Sequence, residues 1–157
     1  DYERRIRMDI SKVTYNISGS WKGDRNGTGE MAIGGVRMSY SAPANLAGPG
    51  IGTNPEELLV ASVSACYMVT LAAVLSRRGI DYSHLEIESE GVVQEEGNKL
   101  TFKEIIHKPV IYLNSGDDEK KNEVIQLADR AEKACFISKT IQPQVTVSVY
   151  PVVRVKE

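Results

Sequence analysis

The feature that most constrains the fold is a run of eighteen residues without a charged side chain, at residues 58–75. That length is the lower limit for a helix that crosses a bilayer. The run also contains Ser62, Ser64 and Thr70 together with four alanines, so its hydrophobicity is moderate. We therefore expect a long helix that protein buries on all sides, and not a membrane span.

Both ends of this helix are marked in the sequence. Thr53 or Asn54 can cap the first turn, and Pro55 suits the first helical position. Gly79 follows two arginines, which favour the negative end of the helix dipole. The signals predict a helix over residues 55–78.

Alternating apolar residues predict strands on both sides of this helix. Three strands precede it and two follow it, at residues 9–20, 29–33, 36–41, 84–94 and 99–113. A second, amphipathic helix opens at residues 114–118 and reaches Ala134, and a last strand covers residues 144–155. The order β-β-β-α-β-β-α-β indicates an α+β fold with antiparallel sheets around a central apolar helix. A chain of 157 residues fits a single domain.

The composition argues against several classes of function. The net charge is −2 and the basic residues are spread along the chain, so we expect no nucleic-acid partner. Two cysteines, Cys66 and Cys135, are too few for a disulfide-stapled secreted domain, and we expect a cytoplasmic protein. Together with His84 and His107 they show no zinc-ligand spacing. Both histidines lie in charged strand segments, where we expect them to be exposed to solvent.

Each cysteine has two interpretations. Cys66 lies in the middle of the apolar helix, where a free cysteine can act as a small buried hydrophobe. As a reactive group it needs the thiolate form, which requires a nearby cation in such a setting. Cys135 lies at the end of the second helix, either packed inward or as the second half of a redox pair. Glu56 and Glu57 are explained by the positive end of the first helix alone.

Two motifs resemble the OsmC/Ohr family, the osmotically inducible protein C and organic hydroperoxide resistance proteins. The first comprises the sequence GTNPEELL at residues 52–59 and SAC at residues 64–66. The second is AEKACFISK at residues 131–139. The order of strands and helices also fits, so the resemblance covers nearly the whole chain.

The resemblance implies an intertwined homodimer with its long central helices packed together and two active sites at the subunit interface. It also implies reduction of organic hydroperoxides, ROOH, to alcohol and water. Cys66 would attack the peroxide and become a sulfenic acid, and Cys135 would condense with it to a disulfide. An external dithiol, typically dihydrolipoyl, would restore the thiols. The family's chemistry requires no metal, flavin or haem.

The family also uses an arginine to stabilise the thiolate, held by a glutamate at the start of the helix. The glutamate corresponds to Glu56. The arginine best matches Arg25, in the turn at residues 23–27 that resembles the turn of the Ohr branch, with Arg37 as the alternative. Candidates for an apolar wall that favours alkyl peroxides are residues 46–51, Tyr67, Met68 and Phe136.

Two residues depart from the family pattern. Tyr67 stands where Phe is usual after the first cysteine, and Phe136 stands where Pro is usual after the second. The second change removes a residue that fixes φ next to the resolving thiol. It motivates an alternative function, a non-catalytic OsmC-like protein that binds a small apolar or thiol-reactive ligand. A third hypothesis is a structural dimer in which both cysteines are merely buried.

Overall fold

In the computed structural model, which describes residues 11–114 and 118–155, the chain divides into two units with the boundary between Leu59 and Val60. The first unit contains a small sheet and the start of a long helix, and the second contains the rest of that helix, a larger sheet and shorter helices. The predicted α+β class is confirmed. The prediction of a single domain over residues 1–157 stays a prediction.

The first unit carries a three-stranded antiparallel sheet. Its strands, in spatial order, are β1 (Ser18–Lys22), β2 (Thr28–Ile33) and β3 (Val36–Tyr40). Gly34 and Gly35 join β2 to β3 with φ values of 54° and 81°, in the left-handed region that favours glycine. The first strand begins later than predicted. Residues 12–17 form no strand, because no described strand pairs with them, and residues 9 and 10 lie outside the described part of the chain.

The long helix, α1 (Pro55–Arg77), follows a loop that includes a 3₁₀ turn at Ala44–Leu46. Asn54 caps it, because its Oδ1 accepts the Glu57 N–H at 2.8 Å. Gly79, with a φ of 69°, follows its end. The predicted helix is confirmed to within one residue.

The second unit is built on a long hairpin. Its strands, β4 (Tyr82–Glu96) and β5 (Lys99–Leu113), are antiparallel and fifteen residues each. The predicted last strand is divided into β6 (Thr146–Val149) and β7 (Val152–Val155), and both pair with β5 in parallel. The sheet is therefore mixed, where the sequence pattern had indicated antiparallel pairing alone. Pro151, which has no N–H to donate, lies between the two short strands.

In the described chain, two α-helices lie between β5 and β6. A 3₁₀ turn at Asp118–Lys120 leads into α2 (Lys121–Ala134), which confirms the predicted second helix. The six-residue helix α3 (Phe136–Ile141) was not predicted. Cys135 separates α2 from α3 because its backbone is extended, with φ −74° and ψ 111°.

The core of the second unit forms where α1 packs against the sheet and α2. The α1 residues that are buried form one stripe, and they are Val63, Tyr67, Thr70, Leu71 and Leu75. Ala61, Ala65 and Val69 on another face are exposed in the single chain, with Val69 at 59%. Burial on all sides is therefore not found within one chain. By length and composition alone, α1 also qualifies as a membrane-crossing helix.

Candidate functional site

The two cysteines meet in the second unit although they are 69 residues apart in sequence. Cys66 lies on α1 and is half-buried, whereas Cys135 lies at the junction of α2 and α3 and has no exposed surface. Both are free thiols. The two side chains are neighbours, because interaction with Cys66 contributes to the raised pKa of Cys135. The fold thus brings the predicted pair together, with Cys66 partly exposed to solvent and Cys135 fully buried.

The surroundings of Cys135 keep its thiol protonated. Burial, followed by interaction with the neighbouring Cys66, raises the pKa of Cys135 to about 12. The backbone N–H groups of Ser138 and Ile137 act in the opposite direction because they favour the thiolate. At neutral pH Cys135 therefore holds its proton and can donate it toward the sulfur of Cys66.

Hydrogen bonds between side chains hold together the junction of α2 and α3, where Cys135 lies. Glu132 on α2 accepts hydrogen bonds from the Ser138 hydroxyl and, at 2.8 Å, from the Gln142 amide. Gln142 also donates to the Ser138 oxygen at 2.9 Å. These contacts tie the last turn of α2 to α3 on both sides of the cysteine. Phe136, the first residue of α3, projects outward and is 59% exposed.

A second cluster of hydrogen-bonded polar side chains connects α1 to β4 and β5. The hydroxyls of Ser64 and Ser89 are hydrogen-bonded to each other at 2.8 Å, and Ser89 is bonded to Nδ1 of His107 at 2.7 Å. His107 has no exposed surface, and its Nε2 has no hydrogen-bond partner in the part of the chain that the structure describes. Its ring stacks on Tyr67 with centroids 5.0 Å apart. Burial lowers the pKa of His107 to about 4, so the ring is neutral at physiological pH.

The expectation that His107 is exposed is wrong. It lies on β5, which has β4 on one side and β6 on the other, so both of its neighbours in the sheet are strands. The buried residues of β5 alternate along the strand, and they are Ile105, His107, Pro109, Ile111 and Leu113. This two-residue period was the signal that could have identified it. His84 is exposed, as predicted, and stacks on Tyr112.

Arg25 and Glu56 belong to the first unit. The Arg25 guanidinium donates to the carbonyl oxygens of Leu46 at 2.7 Å and Ala47 at 3.2 Å. Oε2 of Glu56 is buried and has no hydrogen-bond partner within the described ranges. No ion pair joins these two residues among those that the structure describes. Their predicted roles at the thiol stay predictions.

The neighbouring charged residues have other partners. Arg37 forms an ion pair with Glu30 at 3.6 Å, and both side chains are well exposed. Glu57 accepts hydrogen bonds from the side chains of Asn54 and Thr53 at the start of α1. Helix capping therefore explains Glu57, but it leaves the buried oxygen of Glu56 unexplained.

Two candidates for the predicted apolar wall, Tyr67 and Met68, belong to the core of the second unit, and the wall itself stays a prediction. Tyr67 is fully buried, and its hydroxyl donates to the Ala128 carbonyl at 2.9 Å. Met68 packs against the same core. Within residues 11–114 and 118–155, no group of three or more histidine, cysteine or acidic residues could hold a metal ion. The expectation that the chemistry needs no cofactor remains a prediction.

Comparison with known proteins places these residues in a family context. A sequence model of the family described as OsmC-like protein matches residues 48–149. The uncharacterized protein YmaD of Bacillus subtilis is 37% identical over 134 residues, which cover 83% of this chain and 88% of YmaD. Cys66 and Cys135 both lie within the segment that the family model matches.

Solved structures show the same fold. The organic hydroperoxide resistance protein OsmC of Legionella pneumophila is 25% identical with a TM-score of 0.71, over 90% of this chain and 99% of that one. The organic hydroperoxide resistance protein OhrB of Bacillus subtilis is 25% identical with a TM-score of 0.57, over 90% and 98%. An OsmC-like protein of Mycoplasma pneumoniae, at 17% identity, has a TM-score of 0.73 over 92% and 99% and shows the likeness of fold alone.

Proposed function

Because the chain belongs to the OsmC-like protein family, we propose that it is a thiol-dependent peroxidase that reduces organic hydroperoxides to alcohols. The observation that carries the proposal is the proximity of the Cys66 and Cys135 side chains, which are close enough for Cys66 to raise the pKa of Cys135. Two free thiols in contact can be converted to a disulfide without a large movement of the chain. The likeness to organic hydroperoxide resistance proteins supports the choice of substrate.

The difference in exposure supports the proposed division of roles between the two cysteines. Cys66 is half-buried, so a peroxide can reach it, whereas Cys135 is closed to solvent. In the proposed first step, the Cys66 thiolate attacks the terminal oxygen of ROOH and the O–O bond breaks. The alkoxide takes a proton and leaves as ROH, and Cys66 becomes a sulfenic acid.

The second step forms the disulfide. The sulfur of Cys135 attacks the sulfur of the Cys66 sulfenic acid, the S–O bond breaks, and water leaves with the Cys135 proton. The N–H groups of Ile137 and Ser138 favour the thiolate that must form during this attack. A dithiol such as dihydrolipoyl then reduces the disulfide by thiol exchange and becomes a disulfide itself.

We assign the task of stabilising the Cys66 thiolate to Arg25, held by Glu56, with Arg37 as the alternative. The partnerless Oε2 of Glu56 supports this assignment, because a buried carboxylate oxygen favours a cationic partner. For this pairing, Arg25 has to leave the carbonyl oxygens of Leu46 and Ala47, which it binds in the structure.

A homodimer is the second part of the proposal. The face of α1 that carries Ala61, Ala65 and Val69 is apolar and exposed in the single chain. A second copy would cover it, with the long helices packed together through small side chains. A cytoplasmic location, and the absence of membrane and nucleic-acid partners, remain expectations from the sequence.

One observation favours the alternative function, a non-catalytic protein that binds a small apolar or thiol-reactive ligand. Cys135 is fully buried and its pKa is raised by that burial, which weakens it as an attacking group. Such a protein would let Cys66 react once without turnover.

Steady-state turnover distinguishes these functions. Cumene hydroperoxide and hydrogen peroxide are compared as substrates with dihydrolipoamide as reductant, for the wild type and the matched variants Cys66→Ser and Cys135→Ser. We expect turnover that favours the organic peroxide, that is abolished in Cys66→Ser, and that in Cys135→Ser stops after Cys66 is oxidised. Consumption of neither peroxide by the wild type would overturn the peroxidase and leave ligand binding as the working function.

A further inference from the structure

We infer that the hydroxyl of Tyr67 is a positioning group for disulfide formation, because its bond to the Ala128 carbonyl holds α2 where Cys135 meets Cys66. The inference rests on the proposed function and goes beyond it, since it names a residue that acts on one of the two chemical steps. Tyr67 follows Cys66 directly on α1, and Ala128 lies on the helix that ends at Cys135. The bond therefore links the two segments that bear the thiols.

The tyrosine is held on both of its sides. Its ring stacks on His107, and His107 is connected through Ser89 to Ser64, which lies one helical turn before Tyr67 on α1. At its other end, the hydroxyl donates to Ala128 at 2.9 Å. Cys66 thus lies between two residues that fix the rotation of α1, and one of them also contacts α2.

The hydroxyl is not needed to satisfy α2 itself. Ala128 lies inside a regular helix, where its carbonyl already serves the helical hydrogen bond to the residue four positions later. A carbonyl oxygen has a second lone pair, and the buried Tyr67 hydroxyl uses it. Tyr67→Phe therefore removes one contact between helices, keeps the buried ring, and leaves no polar group without a partner.

The effect on the two chemical steps should differ. Attack on a peroxide requires Cys66 and the incoming oxygen, and neither belongs to α2. Disulfide formation requires the sulfur of Cys135 to reach that of Cys66 in line, and small misplacements of reacting atoms slow such steps strongly. We expect Tyr67→Phe to slow disulfide formation about tenfold and to leave the rate of sulfenic acid formation unchanged.

The test follows both steps after one equivalent of cumene hydroperoxide. Dimedone traps the sulfenic acid, and mass spectrometry of quenched samples counts the disulfide. Tyr82→Phe is the matched control, because Tyr82 packs against the same core, and no hydrogen bond of its hydroxyl to a described residue is found. Trapped sulfenic acid should accumulate in Tyr67→Phe and not in the wild type or in Tyr82→Phe.

A second measurement separates this inference from the peroxidase itself. Diamide oxidises two neighbouring thiols to a disulfide and is itself reduced to the hydrazine, so it needs no peroxide chemistry. Slower disulfide formation in Tyr67→Phe with diamide would support the positioning role of Tyr67. If the wild type also failed to react with peroxides, that failure would overturn the proposed peroxidase function and not the positioning role. Equal rates of disulfide formation in Tyr67→Phe and Tyr82→Phe with both oxidants would overturn the inference.

Discussion

The buried imidazole of His107 should make the stability of this protein fall as the solution is acidified below neutral pH. In the folded chain His107 has no exposed surface, and burial lowers its pKa from 6.5 to about 4. Among the described residues Nδ1 is bonded to a neutral serine and Nε2 has no hydrogen-bond partner, so neither of these contacts compensates a positive charge on the ring. Protonation therefore favours the unfolded chain.

The sign and the size follow from proton linkage. Between pH 4 and 6.5 the unfolded chain binds a proton at His107 and the folded chain does not, so the free energy of unfolding rises with pH. The contribution is fully present above pH 6.5 and is lost as the pH falls to about 4. One pKa unit corresponds to about 1.4 kcal/mol, so the free energy of unfolding changes by roughly 3 kcal/mol between these two pH values. That is a large part of the stability of a typical domain, about 5–15 kcal/mol.

Urea unfolding at a series of pH values between 4.5 and 7.5 measures this contribution. His107→Asn keeps an atom that can bond to Ser89 but does not titrate, and His84→Asn removes the exposed histidine as a control. Protein concentration is held fixed because association would shift the midpoint. The wild type and His84→Asn should share a steep slope, and His107→Asn should be flatter by about 1.4 kcal/mol per pH unit. Equal slopes in all three proteins would refute the burial argument.

Three further predictions concern the fold and the assembly. Gly52→Ala should lower thermal stability by about 2 kcal/mol or more, because φ is +67° and a Cβ would lie 2.1 Å from the Ser39 carbonyl oxygen; an unchanged melting temperature would contradict this. Ser89→Ala should cost about 1–3 kcal/mol in urea unfolding because it leaves His107 Nδ1 unbonded in the core. Val69→Lys should convert a dimer to monomers in light scattering, since it places a charge on the apolar face of α1; a dimer that persists would point to another interface.

Local signals accounted for α1 and for most of the strands. The capping residue Asn54, the stop at Gly79 and the charge-free run all act within a few residues of the helix that they define. The strands of the first unit are joined by turns whose glycines specify their geometry, so their order was also predictable.

Features that depend on distant partners could not be predicted in this way. The parallel pairing of β6 and β7 with β5 joins segments some forty residues apart, and no local pattern specifies it. The contact between Cys66 and Cys135 has the same character, because it depends on how α2 packs against α1. The resemblance to a family suggested that pair, and the fold supplied its geometry.

Neighbours in sequence did not reveal the environments of two side chains. His107 was assigned to the surface because charged residues flank it, yet its position in the two-residue alternation of β5 places it in the core. Tyr67 is a candidate for a substrate wall through its place beside Cys66, which stays a prediction, and the bond of its hydroxyl to Ala128 was not foreseen. In both cases, the direction of the side chain decided the environment, and neighbours in sequence did not.

The central claim, that Cys66 and Cys135 form a redox pair, is tested most directly by counting thiols. The reduced protein is treated with one equivalent of cumene hydroperoxide per chain, its free thiols are titrated in denaturant, and the cross-linked peptides are mapped. Both thiols of each chain should be lost, with a single disulfide that joins Cys66 to Cys135. Two thiols that remain free, or a disulfide that joins the same cysteine of two chains, would contradict it.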